Sequence, residues 1–265
     1  MAIVKTDSIH YENIASKIRE KTGATTQYKS DEMPNGIDEV YEAGKKAEWD
    51  AFWDAYQENG NRILYEAAFM RQFWNGANFK PKYDIRPNGA APNMFAQFGG
   101  SCNSATDGKP AYDIAQILED CGVILDTSKV INFANFFYYS SISRVPEINV
   151  TSATTVLTGL FALARKLLKI DKFVLKEDGS NIFNNTFQGN ISLTDITIEG
   201  TIGANFDINE SPLNKKSITS IVNALSTTTS GLSVIFNATA VNKAFTADEL
   251  ATLVATKPNW TISLV

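Results

Sequence analysis

The sequence is poor in the residues that most often carry catalysis and metal binding. Its 265 residues include one histidine, His10, and two cysteines, Cys102 and Cys121. A lone histidine near the N-terminus gives the rest of the chain no Ser-His-Asp or Cys-His nucleophile and no histidine-based zinc site. Two cysteines do not make a disulfide framework. We therefore expect no catalytic residue, no cofactor and no metal.

Basic charge and long apolar runs are lacking as well. The 24 Lys and Arg residues are outnumbered by 29 Asp and Glu residues, which gives a net charge of −5. We expect no nucleic acid as a partner, because the sequence offers no stripe of Lys and Arg residues to neutralise its phosphates. No run approaches the roughly 20 apolar residues of a membrane helix, so we expect no membrane insertion. The start, MAIVKTDSIHYENIASKI, lacks the apolar core of a signal peptide, and we expect synthesis in the cytoplasm.

What the sequence does contain is a degenerate repeat. Five phenylalanines each end a short box of aromatic or small residues, and they are separated by 26, 42, 24 and 26 residues. They are Phe69, Phe95, Phe137, Phe161 and Phe187. The long step corresponds to one period plus an insert. Self-similarity at roughly 20 to 30 residues indicates a solenoid, in which stacked repeats share one core.

Apolar residues follow three of these phenylalanines at the common spacing i, i+3, i+5. The triplets are Val145, Ile148 and Val150; Ile170, Phe173 and Leu175; and Leu193, Ile196 and Ile198. The last two members of each triplet alternate as in a half-buried strand. We therefore predict stacked parallel strands in which Val145, Ile170 and Leu193 occupy equivalent buried positions. An earlier, imperfect copy contains Ile124 and has Asp126 at its third place.

Composition divides the chain into three regions. Residues 1–61 are predicted to form a helical leader for attachment, residues 62–205 the solenoid, and residues 206–265 an α/β cap that continues it. A helix is expected in the insert, from Ala111 to Asp120. In the cap, Thr246 and Glu249 fit a capping box, and we expect its strands to extend the same sheet. The predicted fold class is α+β, with N-terminal helices followed by a parallel-stranded solenoid.

Strand alternation predicts three outward rows of side chains. They are Glu147, Lys172 and Asp195; Asn149, Val174 and Thr197; and Thr151, Lys176 and Glu199. A polar surface of mixed charge suits a protein or glycan partner. Glu147 and Asp195 are alternatively the two carboxylates of a glycan-cleaving enzyme, although Lys172 between them favours a salt-bridge ladder.

Two groups of aromatic residues are further binding candidates. Tyr138 and Tyr139 follow the Phe137 box and either cover the turn or stack on a sugar. Trp49, Phe52, Trp53 and Tyr56 form a stripe at i, i+3, i+4 and i+7 on a helix predicted from Met33 to about Gln57. That stripe either packs on the first repeat or attaches the helix to another chain, including a second copy.

Particular segments resemble known families. The pattern Phe-x-x-x-Ile-x-Leu-x-x-Ile-x-Ile, from Phe187 to Ile198, resembles the leucine-rich repeat of BspA-type bacterial surface antigens. The stretches TDSIHYENIASKIREKTGATTQYKSDEMPNGIDEVYEAG, YDIRPNGAAPNMF and ATKPNWTISL are similar to segments of phage and prophage tail- or baseplate-associated proteins.

These resemblances imply a non-enzymatic structural protein of the virion. Its N-terminal helices would attach it or form a homo-oligomer, and its BspA-like leucine-rich-repeat solenoid would bind a host-cell protein or glycan or another tail protein. The repeats alone also fit a bacterial surface adhesin. We expect the virion, because the start of the sequence does not resemble a signal peptide.

Overall fold

A computed structural model describes residues 85–108, 110–122 and 124–265, all of which belong to one compact unit, Tyr56–Val265. The predicted N-terminal helices, the Phe69 box and the stripe of Trp49, Phe52, Trp53 and Tyr56 lie outside the described residues. Within them, helices and strands are mixed, and every strand pair is parallel. The coarse fold prediction, a mixed fold with parallel strands, is confirmed.

The strands of the described residues form four sheets. In chain order the elements are β1 (Gly89–Ala90), β2 (Tyr112–Asp113), α1 (Ile114–Cys121), β3 (Val130–Asn132), β4 (Ile142–Asn149), β5 (Leu157–Thr158), β6 (Lys169–Val174), β7 (Phe183–Asn184), β8 (Asp195–Glu199), β9 (Phe206–Ile208), α2 (Lys215–Ala224), β10 (Leu232–Phe236), α3 (Ala238–Ala244), α4 (Ala247–Ala255) and β11 (Trp260–Leu264). The largest sheet has the order β2-β4-β6-β8; the others are β11-β10-β9, β1-β3 and β5-β7.

A column of phenylalanine rings runs through the core. Phe95, Phe137, Phe161 and Phe187 are buried, and successive rings stack with centroids 5.2, 5.6 and 5.5 Å apart. Phe206 continues the column at 5.3 Å in a tilted arrangement. Such ring pairs contribute about 0.5–1.5 kcal/mol beyond the burial of their area. The 42-residue step from Phe95 to Phe137 is therefore a single step of the column, and the insert contains α1 as predicted.

Each ring of the four described copies is flanked by two residues with positive φ. Two places before the ring stand Asn93, Asn135, Gly159 and Asn185, and two places after it Gln97, Tyr139, Leu163 and Gly189, with φ between 50° and 75°. Asn and Gly tolerate this left-handed conformation best, which explains the first set. The backbone N–H of the phenylalanine donates a hydrogen bond to a backbone carbonyl of the next copy, as from Phe137 N to Leu160 O at 2.8 Å.

The strand register differs from the predicted one in the third copy. Val145 pairs with Ile170, but Ile170 pairs with Ile196 rather than Leu193. The predicted equivalence of Leu193 is therefore wrong, although its side chain is fully buried. The register between β6 and β8 shifts between Ile170 and Phe173, so that Phe173 faces Ile198. A bulge of this kind adds a residue to one strand and breaks a fixed spacing.

The earlier copy is displaced by one residue. Ile124, expected at a buried position, is 51 % exposed, whereas Leu125 is buried and bridges to Ile85. Asp126 turns outward to a salt bridge with Arg86 at 2.9 Å. The polar residue thus lies outside the core, and the neighbouring leucine fills the place that the spacing assigned to isoleucine.

The C-terminal elements have the predicted types but a different position. Strands β10 and β11 and helix α4, with its Thr246–Glu249 capping box, all form. However, β10 and β11 pair with β9 in a sheet of their own, so the expected extension of the main sheet is wrong. Helix α2 lies at the edge of β8 instead. The hydroxyls of Ser217 and Ser220 accept hydrogen bonds from the N–H groups of Ile196 and Ile198, both at 2.9 Å. These bonds satisfy the edge of the sheet.

Candidate partner-binding face

The outward side of β4, β6 and β8 presents a continuous polar surface, which we call the strand face. Val145, Ile170 and Ile196 point the other way into the core. The strand face consists of Arg144, Glu147, Asn149, Lys169, Asp171, Lys172, Asp195, Thr197 and Glu199, all exposed or half-exposed. The irregularity in β6 places both Asp171 and Lys172 outward, which strict alternation does not allow.

Arg144 and Asp171 form the centre of a first ion cluster. Arg144 donates from Nε to Oδ1 at 2.8 Å and from Nη2 to Oδ2 at 2.7 Å, a bidentate pair between β4 and β6. Lys169 Nζ lies 3.3 Å from Asp171 Oδ1, and Asp113 Oδ2 lies 3.7 Å from Arg144 Nη1. Burial opposes ionisation of Asp171, but hydrogen bonds from Arg144 and Lys169 outweigh it and hold the pKa of that carboxyl below its ordinary value.

Lys172 forms the centre of a second cluster. Its Nζ lies 2.6 Å from Glu199 Oε2 and 3.3 Å from Glu147 Oε2. The hydrogen bonds to Glu199 and then Glu147 raise the pKa of Lys172. The predicted row of Glu147, Lys172 and Asp195 is therefore wrong in its third member, since Asp195 pairs in register with Lys169. Strand β8 is displaced by two to three residues from the predicted register, which brings Glu199 rather than Asp195 to Lys172.

The second predicted row changes for the same reason. Asn149, Val174 and Glu199 are in register across the three strands, so Thr197 does not continue the row of Val174. Val174 is also only 8 % exposed and offers little surface to a partner. Its predicted place on an accessible face is wrong.

Two members of the third predicted row, Thr151 and Lys176, do not lie on strands. They follow the ends of β4 and β6, in the connecting segments. Thr151 Oγ1 donates to Asn149 Oδ1 at 2.6 Å, and the backbone N–H of Lys176 donates to Asn181 Oδ1 at 2.7 Å. These residues shape the exits of the strands, and Glu199 belongs to the row of Asn149.

Tyr138 and Tyr139 lie in the turn after Phe137, outside the strand face. Their rings are 5.9 Å apart, and both are half-exposed. The Tyr139 hydroxyl donates to the side chain of Asn103. Arg165 Nη1 donates to the carbonyl of the same Asn103 at 3.1 Å. The contact with Asn103 favours a structural role for Tyr139, which ties down the loop before β2.

The face does not bring Glu147 and Asp195 together as a pair. They lie on β4 and β8, which β6 separates, so the strands alone set them about 9–10 Å apart. Glu147 is bound to Lys172 instead. A retaining glycosidase needs its two carboxyl groups about 5–5.5 Å apart and an inverting one about 6.5–9.5 Å, so this spacing does not fit the retaining geometry.

In the described part of the chain, no three residues among His, Cys, Asp and Glu come close enough to hold a metal ion. No helix within the same residues is long and apolar enough to span a bilayer.

Sequence reasoning missed Arg144 and Asp171, the bidentate ion pair of the face. The only sequence signal for this pair is that Arg144 precedes Val145 and Asp171 follows Ile170, where Val145 and Ile170 are paired core positions.

Comparisons of the chain with protein-family models, with curated proteins and with solved structures give no match in any of the three.

Proposed function

We propose that this chain is a non-enzymatic structural protein of a phage or prophage virion, in the tail or baseplate region, and that its repeats form a leucine-rich-repeat solenoid of the BspA type. The phenylalanine column supports the solenoid. Phe95, Phe137, Phe161 and Phe187 hold the same place in consecutive copies, with the same flanking backbone. The virion assignment is supported by the similarity of the N-terminal stretch to tail-associated proteins.

The strand face is the surface through which the repeats bind a host receptor or another virion protein. The observation that carries this role is the bidentate pair of Arg144 and Asp171. Together with the contacts of Lys172, it orders the long side chains before a partner arrives. Binding then loses little side-chain entropy, which is what makes a preorganised surface effective.

The ends of the clusters remain open to a partner. The side chains of Glu147 and Glu199 are 49 % and 54 % exposed while each contacts Lys172. A carboxylate has more acceptor sites than one ammonium group uses, so both can accept further hydrogen bonds. The strand face therefore suits a partner that supplies donors, such as backbone or side-chain N–H groups.

The N-terminal helices complete the proposal. Trp49, Phe52, Trp53 and Tyr56 attach the protein to the particle or join copies of it, as their helical spacing suggests. Mass spectrometry and immunogold microscopy of purified particles test the virion assignment. Particles that contain the other tail proteins of the phage but not this chain would refute it.

A charge reversal tests the strand face. Lys172→Glu places three carboxylates together, whereas Lys216→Glu makes the same change at an exposed site on α2. If the face contacts the host, the first variant lowers the adsorption rate of particles about tenfold, equivalent to 1.4 kcal/mol. If it contacts a virion neighbour, incorporation into particles falls instead. Lys216→Glu leaves both unchanged, and normal adsorption and incorporation of Lys172→Glu would refute the role of the face.

A further inference from the structure

A groove lies where the Phe187 copy meets β9, and no residue of the strand face lines it. It consists of two adjoining depressions of about 190 and 200 Å³ that share Asn185 and Asp207 as lining residues. Together they reach the lower end of the roughly 300–1,000 Å³ that small-molecule sites occupy. The groove is open along its length, as a site for an extended ligand must be.

Amide and carboxylate side chains dominate the walls of the groove. The exposed residues along it are Asn184, Asn185, Gln188, Asn205, Asp207 and Glu210. Within the described part of the chain, the side-chain amides of Asn184, Asn185 and Gln188 have no hydrogen-bond partner in the protein. Asn205 Oδ1 accepts from the backbone N–H of Ser233 at 2.9 Å, which orients its amide.

The other copies show that the fold does not require two of these amides. The place of Asn184 is taken by Pro92, Ala134 and Thr158 in the preceding copies, and that of Gln188 by Ala96, Tyr138 and Ala162. Asn185 is different, because the left-handed backbone at its position favours asparagine. The position holds Asn93 and Asn135 in two of the preceding copies and Gly159 in the third. Asn184 and Gln188 are therefore additions to a turn that folds without them, and they occur only beside β9.

An aromatic ring completes the groove. Phe183 is half-buried and meets Phe206 edge to face, with centroids 4.8 Å apart and planes at 81°. Both rings line the groove. An exposed aromatic surface packs against the C–H face of a pyranose ring, while primary amides both donate to and accept from its hydroxyl groups.

The charge of the groove narrows the ligand class. No Lys or Arg is among its lining residues, whereas Asp207 and Glu210 are. An anionic ligand would face these carboxylates without a compensating cation. An apolar ligand would leave the amides unpaired. Hydroxyl groups, which donate to carboxylates and exchange hydrogen bonds with amides, satisfy the whole set.

We propose that this groove binds a neutral oligosaccharide, with Asn184, Gln188, Asn205 and Asp207 on its hydroxyl groups and Phe183 against a sugar ring. The site is separate from the strand face and does not depend on the virion assignment.

Calorimetric titration of the full-length protein tests the site with three probes: maltohexaose, cellohexaose and hexa-N-acetylchitohexaose. At least one is expected to bind with a Kd of about 1 mM or tighter. The double variant Asn184→Thr/Gln188→Ala carries the residues that Thr158 and Ala162 place in the preceding copy, so it keeps the urea midpoint of the wild type. Its affinity is expected to fall at least about tenfold. Asn242→Ala, which removes an exposed amide from α3, leaves the affinity unchanged.

Two results would overturn the proposal. The first is that none of the three oligosaccharides binds. If calcium chloride then raises the melting temperature of the wild type but not of Asp207→Asn, the groove is a cation site instead. The second is that the double variant binds as the wild type does.

Discussion

The rings of Phe137 and Phe161 lie 5.6 Å apart and within 5° of parallel. The two residues are separated by 24 positions in the chain, and both are fully buried. Their contact joins two consecutive copies at the same position of each copy. This regularity distinguishes the column from the aromatic contacts of an irregular core. The column that they belong to makes each copy dependent on the next.

Removing a ring from the column is expected to destabilise the protein strongly. Phe161 contacts Phe137, Phe173 and Phe187, so Phe161→Ala opens a cavity and lowers the free energy of unfolding by about 3–5 kcal/mol. Phe245→Ala, at a half-exposed ring near the surface, costs less than half as much. Urea denaturation of both variants measures the difference, and equal losses would show that the column does not hold the copies together.

At the second left-handed position of the Phe187 copy, Gly189 lies close against the preceding copy. Gly189 and Gly231 share a φ of 75°, but a Cβ on Gly189 would lie 2.6 Å from Leu163 Cδ2, whereas Gly231 has nothing within 4 Å. Gly231→Ala is therefore expected to cost about 1–2 kcal/mol for the backbone alone. Gly189→Ala adds about 1–3 kcal/mol for the contact with the preceding copy. Unfolding free energies that do not differ would contradict this packing.

Helix α2 protects the edge of the main sheet through a hydroxyl group. Ser217→Ala leaves the N–H of Ile196 without its acceptor in a buried place, at a cost of about 1–3 kcal/mol. Thr219→Ala, on the same helix, is expected to be neutral or slightly stabilising because alanine favours helices. Hydrogen exchange of the Ile196 amide should accelerate in the first variant alone. Unchanged exchange would mean that the edge is protected in another way.

The ion pair of Arg144 and Asp171 predicts a pH dependence of stability. Burial opposes ionisation of Asp171, but hydrogen bonds from Arg144 and Lys169 hold its pKa below the ordinary value in the folded protein. Its contribution to stability is therefore present above the ordinary pKa of an aspartate and is lost as the pH falls through the folded pKa. Asp171→Asn removes the ionisable group, so the difference in unfolding free energy between wild type and variant should be largest at neutral pH and shrink in acid. A difference that stays constant with pH would exclude the ion pair as its source.

Much of the core was predictable from the sequence because burial repeats at a fixed spacing. The four described phenylalanines, the helix in the insert and the capping box of Thr246 and Glu249 all follow from local patterns. A further local signal is the Asn or Gly two residues before each ring, which marks the first left-handed position. The register of β8 has no such signal, so a fixed spacing aligns Leu193 with Ile170, whereas Ile196 pairs with it.

The strand face was less predictable because its contacts depend on register. Strand β8 pairs with β6 two to three residues further along than the fixed spacing predicts, which puts Glu199 rather than Asp195 beside Lys172 and aligns Val174 with Glu199 rather than Thr197. The irregularity in β6 also turns Asp171 outward, next to Arg144. The position of α2 at the edge of β8 also depends on two serine hydroxyls, whose role no sequence period reveals. Pairing between distant strands sets these relationships.

The central claim is that successive copies stack in register, and nuclear Overhauser spectroscopy of methyl-labelled protein tests it most directly. Neighbouring strands lie about 4.8 Å apart, so methyl groups at paired positions give strong cross-peaks. Cross-peaks between Val145 and Ile170 and between Ile170 and Ile196 are the predicted result. Their absence, or a stronger cross-peak from Ile170 to Leu193 than to Ile196, would contradict the stacking described above.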